Sequence, residues 1–332
     1  MADWITINPT SGCNDGSVSF TASKNTTGAE RSAKYRIYND DYGIEKIVTV
    51  SQPAYVEPTG NTKIYYTSTD GNVVTPYTLS ATDAEGNTLT YTNTYSDGQG
   101  IIAFNGVVKD INMKFKSCTT LKTFDGISNK VKLASDASWM FDSCTALTSL
   151  DVSNFDTSSV TNMYTMFHYC IALTTIKGLE GWDTSSVTNM YDMFGYCKAL
   201  TSLDVSNWNT SSVTKMSGMF GDCSSLTSLN VSNWNTSSVT AMNGTFSYCS
   251  KLTTLDLSNF DTSKVTIIYG MFGYSSSLST LKIGSNCTIG SSTKTTNMFT
   301  NVPSSGTLQY PTGMDSTQVA KWTPTGWTAV AY

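Results

Sequence analysis

The chain has 332 residues, a net charge of −5 and only 14% charged residues, whereas globular domains usually contain roughly 25%. Serine and threonine together account for 97 residues. This composition is typical of β-rich, repetitive extracellular-type proteins. The net negative charge argues against binding to the phosphate backbone of a nucleic acid. No apolar segment of the sequence approaches the roughly 18 residues that span a bilayer.

The first residues carry no basic region, apolar region or lipobox of a secretory signal. We therefore expect one of two histories: a signal removed ahead of this sequence, or synthesis and folding in a cytosol. The single histidine, His168, argues against a histidine-dependent triad or a histidine-rich metal site.

Residues 1–56 show short alternating apolar and polar stretches, which predict β-strands separated by Gly, Asn and Asp turns. The stretches are Val18–Ala22, Lys34–Tyr38 and Lys46–Val50. With Trp4-Ile-Thr-Ile-Asn-Pro at the start, this segment resembles the BACON domain, an Ig-like module associated with Bacteroidetes and their phages. The resemblance implies a β-sandwich, with carbohydrate binding proposed for the family.

The same segment offers four or five strands, whereas Ig-like sandwiches have about seven. One explanation is that strand addition completes the sheet. The added strand would come from a neighbouring chain, which would make a homo-oligomer, or from a later segment. The other is a small sandwich closed by residues 56–100. Residues 57–109, with hairpins predicted at Lys63–Gly71 and Gly98–Phe104, form a linker and an N-terminal cap.

A repeat dominates the next part of the chain, with cysteines at intervals of 26, 26, 27, 26 and 26 residues. The cysteines are Cys118, Cys144, Cys170, Cys197, Cys223 and Cys249. A phenylalanine precedes each by three residues, and Ser275 keeps the register without the thiol. One repeat cannot bury its own apolar edge, so the repeats must stack into a solenoid.

Two periodicities recur within each repeat. Leu203 and Val205 alternate with polar neighbours, which predicts a short strand, and an Asn-Thr-Ser or Asp-Thr-Ser turn follows. Val160, Met163, Phe167 and Cys170 then recur at steps of three and four residues, which predicts a short helix with these side chains inward. Each coil is therefore expected to be strand, turn and helix.

The phrase Leu200-Thr-Ser-Leu-Asp-Val-Ser-Asn-Trp-Asn-Thr-Ser-Ser-Val-Thr-Lys-Met-Ser-Gly-Met-Phe resembles BspA-like leucine-rich repeats, which occur in bacterial surface proteins. The resemblance covers residues 110–300, and residues 301–332 lose the period, as a C-terminal cap does. The fold class expected is mixed and β-rich: an Ig-like β-sandwich followed by a capped leucine-rich-repeat solenoid with 26-residue coils.

The chemistry-bearing residues repeat with the scaffold, whereas a catalytic pair should be singular. The cysteines share the apolar face of Phe and Met and have no metal-ligand spacing, so we expect small buried hydrophobes. A Cys13–Cys287 bridge is left open. We expect no catalytic residue, no metal and no cofactor, and a non-enzymatic protein. Free buried thiols favour folding under reducing conditions.

One surface stands out as a candidate binding site. Tyr169 points away from the inward face of its coil, and the equivalent positions carry Tyr196, Asp222, Tyr248 and Tyr274. An exposed tyrosine row can stack on sugars or anchor a protein partner. The alternative is that the rings merely cover the edge of the coils.

These observations predict a binding or display protein. We expect a phage virion component, such as a head or tail fibre or a capsid decoration, at the virion surface. Its N-terminal domain would contact other virion or surface proteins, and its solenoid a host glycan or protein. The alternative is an adhesin on a bacterial cell surface, exported by a signal that precedes this sequence.

Overall fold

The computed structural model describes residues 61–332 and, ahead of them, the backbone of four β-strands. It divides the chain into two compact units, Met1–Gly60 and Asn61–Tyr332. The strands of the first unit are β1 (Ile5–Asn8), β2 (Ser19–Ala22), β3 (Arg31–Asn39) and β4 (Ile44–Gln52). Antiparallel pairing joins β1 to β2 and β3 to β4. The strands predicted here are confirmed; the closure of the sandwich, the shared strand and Cys13 lie outside the described residues.

The second unit starts with a β-rich cap. Its strands are β5 (Lys63–Ser68), β6 (Thr78–Thr82), β7 (Tyr91–Ser96), β8 (Gln99–Phe104) and β9 (Asp110–Lys114). The β7–β8 hairpin turns at Asp97 and Gly98, both with positive φ, which confirms the second predicted hairpin. The first was wrong: β5 is a central strand, antiparallel to β8 on one side and to β10 (Leu121–Ile127) on the other. Its alternating side chains Ile64 and Tyr66 are fully buried, which favours a central place.

Parallel pairing begins at β10 and continues through the coils. The coil strands are β11 (Val131–Leu133), β12 (Ser149–Asp151), β13 (Phe155–Asp156), β14 (Thr175–Lys177), β15 (Thr254–Leu257) and β16 (Thr280–Ile283). One sheet has the order β14-β12-β10-β5-β8-β7, and a second has the order β13-β11-β9-β6. A run of single parallel bridges from Asp136 to Lys294 links every coil to the next. The result is a β-solenoid of about eight turns.

The predicted helix of each coil was wrong. Between residues 134 and 306 the described chain has no α-helix, and the segment Met163–Cys170 is a series of turns. Alternate amides reach the next coil, as Phe167 N–H does to the Met193 carbonyl (2.9 Å), while Met166 N–H closes a short turn to the Met163 carbonyl. Because half of the amides serve the neighbouring coil, a continuous helix cannot form.

The inward side chains were nevertheless predicted correctly. Val160, Met163, Phe167 and Cys170 are all fully buried. The series of turns places the same four side chains in the interior that a helix would place there. The three- and four-residue spacing therefore identifies burial but does not distinguish the two backbones.

The predicted coil strands are absent from two coils. Residues 201–205 and 227–231 have no assigned strand, although the Thr227 amide still donates to the Thr201 carbonyl (3.1 Å). The interruption follows directly on the 27-residue coil. This coil contains a 3-10 turn at Leu179–Gly181, which follows β14 and Gly178. Strand pairing in this part of the coils resumes at β15, while the single bridges between Asn189, Lys215 and Ala241 continue without a break.

Gly178, directly before this 3-10 turn, provides a sharp test. Its φ is 98°, and a Cβ there would lie 2.4 Å from the Ser153 Cα. We expect Gly178→Ala to lower the free energy of unfolding by about 2–4 kcal/mol, through backbone strain and the clash. Gly181→Ala, three residues away with open space at its Cβ, is the matched control and should change it by less than about 1 kcal/mol. Urea unfolding of both variants measures the difference, and equal losses would refute this account.

Two aromatic columns run through the centre of the solenoid. Neighbouring rings of the first column are 5.3–5.9 Å apart and nearly parallel. Its members are Phe115, Phe141, Phe167, Phe194, Phe220, Phe246, Phe272 and Phe299. In the second, Trp182, Trp208 and Trp234 stack, and the indole N–H of Trp234 donates to the Val205 carbonyl in the previous coil (3.0 Å). The ring stacking and the indole hydrogen bonds thus both recur from coil to coil.

The cysteines form a third column with a specific bonding pattern. Five thiols, from Cys144 to Cys249, donate to the carbonyl of a phenylalanine in an earlier coil, as Cys170 does to Phe141 (3.0 Å) and Cys249 to Phe220 (3.2 Å), whereas the first, Cys118, donates to the Thr75 carbonyl. Ser275 makes the equivalent bond to Phe246 at 2.7 Å. All seven described cysteines are free, and six of them are buried. This confirms buried, unpaired thiols and explains why serine can replace one.

Opposite charges face each other at two steps of the outer face of the coils. Lys177 pairs with Asp151 (2.8 Å) and Lys282 with Asp256 (3.2 Å), in each case across one coil step. At the start of the sheet the pattern differs, because burial and the Asp151 charge raise the pKa of Asp125 on the adjacent strand. Like charges on adjacent strands destabilise a sheet, and the two lysines relieve this at Asp151 and Asp256.

The C-terminal cap extends the last sheet and covers its end. Strands β17 (Thr307–Tyr310) and β18 (Thr328–Ala331) continue the parallel order after β15 and β16, and α1 (Ser316–Trp322) lies between them. Asp315 caps α1 by accepting from the Thr317 and Gln318 amides. Trp322 is fully buried and meets Phe272 edge-on. Across the described residues, no helix has the length and apolar character to cross a membrane.

Candidate functional site

Each coil turns twice through a left-handed backbone conformation, at positions four residues apart. The first position is held by Trp139, Thr165, Asp192, Gly218, Gly244, Gly270 and Asn297. The second is held by Ser117, Ser143, Tyr169, Tyr196, Asp222, Tyr248, Tyr274 and Asn301. These turns form one long edge of the solenoid, where the four predicted tyrosines lie.

The two left-handed positions carry different types of residue. Glycine, asparagine and aspartate, which adopt positive φ most readily, hold five of the seven first positions. Tyrosine holds four of the eight second positions, although a bulky side chain is disfavoured there. Backbone geometry therefore gives no reason for these tyrosines, and strain of this kind points to a role for the side chain itself.

The tyrosine row (Tyr169, Tyr196, Tyr248 and Tyr274) is exposed, with 42–47% of each residue accessible. Its rings form two pairs. Tyr169 and Tyr196 are 5.5 Å apart and inclined at 45°, whereas Tyr248 and Tyr274 stack at 4.4 Å and 2°. In the second pair each ring covers one face of the other, so that only the outer faces, the edges and the hydroxyls remain for a ligand.

Asp222 interrupts the row between the two pairs. Its carboxylate accepts from the Lys198 ammonium at 3.0 Å, and the same ammonium lies 5.8 Å from the centre of the Tyr196 ring. The carboxylate raises the pKa of Lys198 by hydrogen bonding and charge. Along this edge the first tyrosine pair is therefore followed by the Asp222–Lys198 ion pair and then by the second tyrosine pair.

His168 packs beside the first tyrosine pair. Its Nδ1 lies 2.9 Å from the Asp142 carboxylate, and its ring meets Tyr196 edge-on at 5.5 Å. Asp192, close to this ring, has a pKa raised by burial, an effect that the His168 charge opposes. The histidine holds a fixed place between two carboxylates and the tyrosines.

A second aromatic group on this edge was missed by the sequence reasoning. Trp139, Tyr164 and Tyr191 follow one another at 5.4–5.7 Å in three consecutive coils. Lys116 lies 4.7 Å from the centre of the Trp139 ring. For Trp139 the series Gly218, Gly244 and Gly270 at the same repeat position was the available signal, because glycine at a fixed repeat position marks a left-handed turn; Tyr164 and Tyr191 directly precede this position.

The described residues form two surface depressions, and the first adjoins the end of the tyrosine row at Thr300, whose carbonyl accepts from the Tyr274 amide. One of about 570 Å³ is lined by Ile289, Thr293 and Lys321 among others, and one of about 630 Å³ lies near Asp83 and Lys130. Within residues 61–332, no three His, Cys, Asp or Glu side chains are grouped so as to hold a metal ion. The row is thus an open surface, suited to a ligand that lies along it.

Comparison with known proteins identifies both parts of the chain. Residues 1–53 match the BACON model, described as "Putative binding domain, N-terminal". Residues 109–204, 135–230 and 200–308 match DUF285, described as "Mycoplasma protein of unknown function". No curated protein and no solved structure matches the chain significantly. Neither description names Bacteroidetes or phages. The DUF285 matches together cover more than half of the sequence, so the chain belongs to the DUF285 family.

Proposed function

We propose that this chain is a non-enzymatic binding protein that attaches to a glycan-bearing surface through the tyrosine row. The observation that carries the proposal is the placement of four exposed tyrosines at left-handed positions, where the backbone favours glycine or asparagine. Tyrosine offers a large, rigid contact area and a hydroxyl at low entropic cost. The BACON match, to a domain described as binding, supports the same class of function.

The glycan is favoured over a protein partner by the surface chemistry. The row is long, flat and rich in hydroxyl groups, without the apolar pocket in which a protein hot spot inserts. Tyrosine edges and hydroxyls alternate with the Asp222–Lys198 pair, which supplies an acceptor and a donor. A sugar hydroxyl group can donate and accept hydrogen bonds, so it can use both the acceptor and the donor.

A paired mutation tests the proposal. In the double variant Tyr169→Ala and Tyr196→Ala, we expect binding to surface polysaccharide purified from candidate host cells to fall by about 100-fold, since two anchors are lost. Tyr77→Ala, which removes a tyrosine that is 75% exposed in the N-terminal cap, should leave binding unchanged. Biolayer interferometry gives the affinities. Cell attachment that survives enzymatic removal of the glycans would contradict the proposal.

Within this proposal we place the protein at a phage virion surface, with a bacterial cell surface as the alternative. The support is the column of free, buried thiols, which suits assembly in a reducing compartment. The N-terminal unit would then be the mount and the solenoid the displayed surface. Mass spectrometry of purified particles and of cell-envelope fractions separates the two: peptides of this chain confined to the envelope would exclude the virion.

A further inference from the structure

The interruption of the tyrosine row at Asp222 leaves a notch, defined here by Tyr196, Lys198, Asp222 and Tyr248. The backbone of these coils is continuous: the Tyr196 amide donates to the Gly221 carbonyl (2.7 Å) and the Asp222 amide to the Ser247 carbonyl (2.8 Å). One ring is therefore missing from an otherwise regular series, while the coils beneath it are in direct contact.

The width of the notch follows from the solenoid. Adjacent coils are separated by the spacing of neighbouring strands, about 4.8 Å, so two steps separate Tyr196 from Tyr248 by about 10 Å. Each wall needs about 4 Å to an atom in contact. The space admits one ring-shaped group about as thick as a sugar chair.

The two walls differ in what they offer. Tyr248 is parallel to Tyr274 at 4.4 Å, close to one coil step, so its opposite face turns towards the coil of Asp222. Tyr196 contacts Tyr169 and His168, and the Lys198 ammonium lies 5.8 Å from its ring centre, so a ligand reaches this ring when Lys198 moves aside. Partial desolvation and the neighbouring Tyr274 raise the pKa of Tyr248, and Asp222 and Tyr196 add to this, as expected if all lie within electrostatic reach.

The base of the notch is an ion pair without net charge. Asp222 retains only 20% of its side-chain exposure, whereas Lys198 retains 50%. Such a pair accepts from one hydroxyl and donates to another but gives no preference for an ionic ligand. An exposed ion pair is worth roughly 0–1 kcal/mol, so that Lys198 can move aside at little cost.

We propose that this notch binds one neutral hexopyranose residue of a glycan between Tyr196 and Tyr248. The sugar places its C–H faces against the rings and its hydroxyl groups on Asp222 and Lys198. The inference rests on the proposed glycan binding and adds the subsite that selects a residue. The rest of the tyrosine row then contacts the glycan on either side.

Filling the notch tests the inference. Asp222→Tyr completes the tyrosine series at a backbone conformation that Tyr248 and Tyr274 already adopt, so the protein should fold with an unchanged melting temperature. Ser117→Tyr is the matched control, because it adds a tyrosine at the equivalent left-handed position in a coil that does not adjoin a member of the tyrosine row. We expect Asp222→Tyr to weaken binding of the purified surface polysaccharide by about 30-fold, the loss of one stacked ring and its hydrogen bonds. Ser117→Tyr should bind like the wild type.

A second readout uses the methyl glycosides of glucose, galactose and mannose. In saturation-transfer NMR we expect ring-proton signals from at least one with the wild type and Ser117→Tyr, and none with Asp222→Tyr. Polysaccharide binding that survives Asp222→Tyr but is lost with Tyr169→Ala and Tyr196→Ala would overturn the notch and leave the proposed function intact. An absence of polysaccharide binding by the wild type would overturn both.

Discussion

Raising the pH from 9 to 10 is expected to remove about 8 kcal/mol from the free energy of unfolding. Burial raises the pKa of all seven described thiols: to about 11 for Cys118, to about 12 for Cys249 and Cys287, and well above the ordinary value for Cys144, Cys170, Cys197 and Cys223. In the unfolded chain a thiol ionises near pH 8.5. Between these values the folded state holds protons that the unfolded state has released, so stability is full below about pH 8.5 and falls as the pH rises.

The size of the effect comes from repetition. Each fully ionised thiol contributes about 1.4 kcal/mol per pH unit above the unfolded pKa, and seven thiols contribute, so the sum is about 8 kcal/mol because the unfolded thiols are only partly ionised at pH 9. Since a whole protein is stable by about 5–15 kcal/mol, unfolding is expected near pH 10. Urea unfolding at half-unit steps from pH 7 to pH 10 measures the slope.

The control exploits the serine that the chain already contains. The triple variant Cys170→Ser, Cys197→Ser and Cys223→Ser keeps a donor at each position, as Ser275 does toward Phe246. We expect it to fold and to show roughly four sevenths of the slope of the wild type, because three of seven ionisations are gone. Equal slopes in the two proteins would show that the thiols are not the cause.

Removing one ring from the phenylalanine column is the second large effect. Phe220 is fully buried and lies 5.7–6.0 Å from the rings of Phe194, Phe246 and Trp234. We expect Phe220→Ala to lower the free energy of unfolding by about 4–5 kcal/mol, through the cavity and the lost ring contacts.

Two companion variants define that result. Phe220→Leu keeps most of the volume and should cost about 1–2 kcal/mol, and Tyr77→Ala, at an exposed position, less than about 0.5 kcal/mol. Urea unfolding at pH 7 gives all three. A loss below about 1 kcal/mol for Phe220→Ala would mean that the coils close around the cavity, contrary to a column fixed by its neighbours on both sides.

The sequence was sufficient for the repeat, the inward positions and the exposure of the tyrosine row, because each depends only on periodic burial. It was insufficient for the backbone between them. Met163 and Phe167 have helical spacing, yet the amides of alternate residues bond to the next coil, and spacing alone does not contain that information.

The candidate site divides in the same way. The row itself was predicted, but the pairing of Tyr248 with Tyr274 and the separation of Tyr196 from Tyr248 depend on ring orientation and coil contact. Trp139 holds a left-handed position, whereas Tyr164 and Tyr191 directly precede one, so repeat spacing alone does not show that these three rings meet. Such proximity requires the three-dimensional register, which the 27-residue coil shifts by one residue.

The backbone bonds of the coils have a consequence for how such proteins change. Since each coil bonds only to its two neighbours, as Thr214 does to Thr188 and Thr240 does to Thr214, a 26-residue unit can be duplicated or deleted while both caps are retained. Recombination between near-identical repeats would then move Asp222 along the edge by whole steps of about 4.8 Å. The number of coils and the position of Asp222 along the edge can therefore change in evolution while the packing of the core is retained.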